Sequence, residues 1–87
     1  MEKQEIDYLK LLGFESEFPD EPDYSDLSFR LDIEEHTLLT GLYVVVSSKV
    51  IEVWCLDCVS TKYSSDVCVA TREYTRKNLE ALLQYLS

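Results

Sequence analysis

Glycine, proline and histidine are scarce in this 87-residue sequence, which has two glycines, two prolines and one histidine. With only Gly13 and Gly41, the chain has no glycine-rich loop that would cradle a phosphate. It also has no nucleophile elbow and no zinc-protease helix. The single histidine, His36, follows two glutamates, and we expect it to be a solvated surface residue in a turn. These absences predict a protein that is not an enzyme and has no catalytic residue.

Long hydrophobic runs are also missing. The longest, Leu42–Val46, is far shorter than the roughly 20 residues that a transmembrane helix needs. The first twelve residues carry charges where a secretory signal peptide needs a continuous apolar stretch. The cysteine count of three is odd, which argues against a closed disulfide framework and fits a reducing compartment. We therefore expect a cytoplasmic protein, in the host cytoplasm if a phage encodes it.

Basic residues are few: eight stand against seventeen acids, for a net charge of −9. Residues 1–40 hold twelve acids and three bases, whereas residues 41–87 hold five of each, so the whole imbalance belongs to the first 40 residues. Such a surface repels nucleic acids and anionic membranes. It favours a basic protein partner, and we expect no direct contact with nucleic acid or membrane. The acids lack the glycine and the more distant glutamate that an EF-hand calcium loop requires. We therefore expect no dedicated calcium site and no cofactor.

The length predicts one domain over residues 1–87. Hydrophobic periodicity predicts an α+β fold, a four-stranded antiparallel sheet with an N-terminal and a C-terminal helix packed on one face. The predicted order is a helix over 2–12, strands over 27–34, 38–46, 50–57 and 67–74, and a helix that Thr75 caps. From Leu27, every second side chain of the first strand should be buried. The last helix should pack on this strand through its leucine stripe, which is Leu79, Leu82, Leu83 and Leu86.

The three cysteines permit several interpretations. The stretch "WCLDC", Trp54 to Cys58, resembles the thioredoxin dithiol motif over these five residues only. A thioredoxin-like dithiol needs a helix that begins at the first thiol, whereas the β-branched and turn residues "VSTKYSSD" follow here. Cys55, Cys58 and Cys68 with His36 would supply four zinc ligands, but only one knuckle-like pair exists. We therefore expect no metal ligands, and we expect Cys55 and Cys68 to be buried in strands.

The segment "FESEFPDEPDYSD", residues 14–26, holds six acids, three aromatic residues and both prolines. We call it the acidic segment. Its prolines predict an irregular segment, which is either a solvated linker or a surface that binds a partner. A further interpretation is that the segment folds back onto the basic patch of Arg72, Arg76 and Lys77. The predicted partner-binding residues are Glu15, Glu17, Phe18, Asp20, Glu21, Asp23, Tyr24, Asp26, Asp32 and Glu34.

Size and charge together favour a small acidic binding protein that inhibits a basic, nucleic-acid-binding protein. Proteins of phages and other mobile elements act in this way against host defence, as anti-CRISPR or anti-restriction proteins that mimic DNA, and acidic immunity proteins do so against nuclease toxins. The comparison rests on size and charge alone. Two alternatives remain open: a generic interaction adaptor or small homodimer, and a zinc- or thiol-dependent protein that uses Cys55, Cys58 and Cys68.

Overall fold

The structure is a computed structural model that describes residues 1–33, 41–56 and 66–86. In this part of the chain, five strands lie between two helices. The elements are α1 Lys3–Leu11, β1 Glu15–Ser16, β2 Ser28–Asp32, β3 Tyr43–Ser47, β4 Val50–Leu56, β5 Asp66–Glu73 and α2 Arg76–Leu86. The strands form one antiparallel sheet in the order β1-β2-β3-β4-β5. The predicted α+β class is confirmed, but the prediction of four strands is wrong because the described sheet has five.

The additional strand, β1, belongs to the acidic segment that the sequence predicted to be irregular. Gly13 has a φ of +101°, a conformation that residues with a β-carbon rarely adopt, and it turns the chain from α1 toward the sheet. Phe14 then inserts its ring into the core, and Glu15 pairs with Arg30 of β2. Two residues are too few to show an alternating pattern, so sequence periodicity does not detect this strand.

Both described helices pack on one face of the sheet. The buried residues of this face form a single cluster with Ile6 and Leu9 of α1 and with Leu79 and Leu86 of α2. The strands contribute Phe29, Val44, Val46, Ile51, Val53 and Cys55. The predicted leucine stripe therefore faces the core, although Leu82 and Leu83 are only partly buried.

The starts of β3 and α2 have local causes. Strand β3 begins at Tyr43, after Gly41 with its φ of +64°, and residues 38–40 of the predicted strand lie outside the described residues. From Tyr43 to Val46 every side chain of β3 is buried, as expected for a central strand that is covered on both faces. At α2 the predicted cap is confirmed, since the Asn78 N–H donates to Thr75 Oγ1 at 3.0 Å.

A β-bulge changes which side chains of β5 are buried. The ladder between β4 and β5 skips Val69, so that Trp54 pairs with Cys68. This pairing places Cys68 on the face of the sheet away from the helices, where it is exposed, whereas Cys55 is buried against the helices. The prediction that Cys55 is buried is confirmed, and the prediction that Cys68 is buried is wrong.

Candidate functional site

Beyond β1, the acidic segment forms a folded loop that leads to β2. The Ser16 hydroxyl donates to the Ser25 carbonyl at 2.6 Å and accepts from the Phe18 N–H at 3.2 Å. Successive turns follow, in which the Glu21 N–H donates to the Phe18 carbonyl and the Tyr24 N–H to the Glu21 carbonyl. These bonds fix the backbone on which the acids are carried, which is not the organisation of an extended, solvated linker.

The six acids of this segment lie at the protein surface. Five are exposed and Glu17 is partly buried, where it accepts a hydrogen bond from the Ser28 hydroxyl at 2.9 Å. The ion pairs between described residues join other groups, Arg30 with Asp32 and Arg76 with Glu5. Within residues 1–33, 41–56 and 66–86, no basic side chain therefore pairs with an acid of the segment. The segment therefore concentrates negative charge at the protein surface.

The aromatic residues of the segment divide into an anchor and a surface pair. Phe14 is buried, and it ties the loop to the core. Phe18 and Tyr24 are 46% and 52% exposed. Leu27 is 51% exposed, so the prediction that it points into the core is wrong: it precedes β2. The sequence offered no means of separating anchor from surface aromatics, and it did not indicate that Leu27 would join them.

The face of the sheet opposite the helices, here called the helix-free face, carries a row of stacked groups. The Arg30 guanidinium lies 3.7 Å from the centre of the Tyr43 ring. The Tyr43 and Trp54 rings stack with centroids 6.4 Å apart. The Tyr43 hydroxyl donates to an Asp66 carboxylate oxygen at 2.8 Å. Burial, and then this bond, raise the pKa of Tyr43 to about 12, so the phenol stays protonated near neutral pH.

The acidic segment adjoins this face at the β1 edge. Glu15 is directly opposite Arg30 in the ladder, so both side chains project from the helix-free face. Asp32 lies two residues along β2 and pairs with Arg30 at 2.9 Å, which offsets its charge. Glu15 and Asp32 therefore lie near the same edge of the sheet, and Glu17 directly follows β1. Glu34 lies outside the described residues.

The alternative in which the acidic segment folds back onto the basic patch does not agree with the structure. Strands β1 and β5 are opposite edges of the sheet, and the patch lies on β5 and α2. Arg76 instead donates to the Glu5 carboxylate at 3.0 Å, and its guanidinium lies 4.3 Å from the Tyr8 ring centre. The hydrogen bonds that Glu5 accepts from Arg76, and next from the Tyr74 hydroxyl, hold the pKa of Glu5 below its ordinary value.

The thiols do not converge in the described part of the chain. Cys55 faces the helices and Cys68 the opposite side of the sheet, so one metal ion cannot bind both in this fold. Among the described residues, no group of three or more His, Cys, Asp or Glu is arranged to hold a metal ion. Cys58 and His36 lie outside the described residues.

Neither α1 nor α2 is long and apolar enough to cross a membrane. Comparisons with protein-family models, with curated proteins and with solved structures gave no significant match.

Proposed function

We propose that this protein is a small, non-enzymatic binding protein whose acidic segment docks on a basic protein. The observation that carries the proposal is the folded loop itself, in which surface acids without an ion pair among the described residues alternate in sequence with two exposed aromatic residues. Charged residues placed in this way accelerate encounter with an oppositely charged surface. Aromatic rings that become buried when two proteins bind often contribute much of the binding energy. This is the role that we propose for Phe18 and Tyr24, which are exposed in the free protein.

The partner that suits this surface is a protein whose basic site binds nucleic acid. Carboxylates held on a fixed backbone present negative charge to such a site as phosphates do. Occupying the site would exclude the nucleic acid, so the protein would act as an inhibitor of the DNA-mimic kind. The concentration of the charge imbalance in residues 1–40 supports this proposal, because the remainder of the chain is neutral in sum.

A second candidate function is an adaptor or a small homodimer, in which the acids serve mainly for solubility. The eight-residue edge strand β5 favours the homodimer, because the outer edge of a strand is able to pair with another strand. The two functions differ in their dependence on salt, because an interface driven by opposite charges loses association rate as screening increases.

The test compares the wild-type protein with two variants of equal net charge. One replaces Asp20, Glu21, Asp23 and Asp26 with Asn or Gln, and the other replaces Glu2, Asp7, Glu52 and Glu73 in the same way. The partner is first isolated from the native host on immobilised wild-type protein. Association and dissociation rates are then measured over a series of salt concentrations, together with the partner's binding to nucleic acid.

We expect the segment variant to associate more slowly and with a flatter salt dependence, while the control variant keeps most of the wild-type behaviour. Phe18→Ala should mainly accelerate dissociation, because its ring is exposed in the free protein. Nucleic acid should compete with the wild-type protein for the partner. Unchanged rates for the segment variant at every salt concentration would contradict an acidic interface, and an unaffected nucleic-acid complex would contradict inhibition.

A further inference from the structure

The two edges of the described sheet differ in length. Strand β1 closes one edge with two residues, whereas β5 presents eight residues, Asp66–Glu73, at the other. Within the described ranges, no strand pairs with the outer side of β5. The backbone N–H and C=O groups along such an edge are able to pair with another strand.

An apolar groove runs beside this edge, between β5 and α2. It has a volume of about 490 Å³, and its walls include Val53, Ala81 and Leu82. At its rim, Val69 is 49% exposed and Tyr85 is 84% exposed. Val69 is the residue that the bulge leaves unpaired. Backbone pairing capacity and exposed apolar surface thus occur side by side.

The charge of this region admits a second copy of the same chain. Residues 41–87, which supply β5 and α2, contain five acids and five bases. The acidic segment lies at the opposite edge, with β2, β3 and β4 between. Two chains that meet at β5 therefore keep their acidic segments far apart. A basic partner, by contrast, finds no carboxylate among the described residues that line the groove, and Arg72 is the charged side chain among them.

We propose that two copies of this chain associate through β5, in antiparallel pairing about a two-fold axis. The two sheets then continue into one, and both α2 helices lie on the same face of it. A symmetric interface uses the same patch on each chain, so the exposed rings of Tyr85 and the side chains of Val69 from both copies are covered at the junction. The proposal is independent of the partner proposed for the acidic segment.

The experiment measures the mass of the full chain by sedimentation equilibrium across a range of concentrations. Tyr85→Lys and Val69→Lys place a charge at the junction, and both sites are exposed in the monomer, so folding should persist. Leu11→Lys is the matched control, because Leu11 is 89% exposed on α1, outside the groove. Circular dichroism verifies that each variant is folded.

We expect the wild-type chain and Leu11→Lys to sediment at twice 10.1 kDa, and the two junction variants to dissociate at least about tenfold more readily. In wild-type protein, hydrogen exchange of β5 amides should slow as the concentration rises. The proposal fails if the wild-type chain is monomeric up to about 100 μM, far above a micromolar dissociation constant. It fails equally if the junction variants remain dimeric, or if Leu11→Lys alone separates the chains.

Discussion

Truncation of Leu79 tests whether α2 and the sheet share one core. Leu79 is the most buried leucine of α2, and it belongs to the cluster that includes Phe29 and Ile51. Replacement of a fully buried leucine by alanine removes apolar burial and leaves a cavity, for a loss of about 2–5 kcal/mol. A domain of 87 residues has an unfolding free energy of roughly 4–13 kcal/mol at typical values per residue. Leu79→Ala should therefore remove a large fraction of the stability.

Two further leucines calibrate this expectation. Leu82 lies one turn further along α2 but is only partly buried, so Leu82→Ala should cost less, on the order of 1–2 kcal/mol. Leu11 is almost fully exposed on α1, and Leu11→Ala should change the unfolding free energy by less than about 0.5 kcal/mol. The three variants should therefore rank by burial.

The measurement is unfolding in urea, monitored by circular dichroism and by the fluorescence of Trp54, the single tryptophan. The midpoint should fall while the slope with denaturant stays constant, which reports a change in stability and not in the extent of unfolding. A loss below about 0.5 kcal/mol for Leu79→Ala is typical of an exposed residue and would mean that Leu79 is not buried. The packing of α2 on the sheet would then be wrong.

Two other predictions concern ionisable groups. In the folded protein, iodoacetamide should modify Cys68 and leave Cys55 unmodified until denaturant is added, because Cys68 is exposed and Cys55 is buried; peptide mass mapping that finds equal modification of these two cysteines would contradict the bulge. The lowered pKa of Glu5 implies stability that is present above the ordinary glutamate pKa of 4.5 and is lost as pH falls through the lower folded value. Glu5→Gln should remove this part of the acid dependence in unfolding experiments from neutral to acid pH, and an identical pH profile would exclude the contact with Arg76 and Tyr74 as its source.

The regular elements were predictable because burial on one side leaves a periodic trace. Phe29 and Arg30 alternate between the core and the surface, and α2 shows the helical spacing of its leucines. The antiparallel arrangement was also predicted, and strands that follow one another in sequence are neighbours in the sheet. These features depend on the spacing of residues that are close together in the sequence, so a single sequence is enough to predict them.

The features that were missed depend on single residues or on pairs distant in sequence. Strand β1 has two residues, and its pairing depends on the turn at Gly13. The bulge at Val69 shifts every later residue of the ladder by one, and nothing in the alternation of β5 marks where that occurs. The stack of Arg30 on Tyr43 forms only when β2 and β3 pair. The charge of the sequence was enough to predict which acids form the candidate site, but it did not predict the strand and the hydrogen-bonded loop that carry them.

The hydrogen bonds of Ser16 have a consequence for the thermodynamics of binding. A disordered acidic tail loses conformational entropy when a partner orders it, and that loss subtracts from its affinity. Here one hydroxyl joins the two ends of the loop in the free protein, through Ser25 on one side and Phe18 on the other. The backbone of the loop is thus ordered during folding. In the complex that we propose, this part of the conformational entropy would not be lost again on binding.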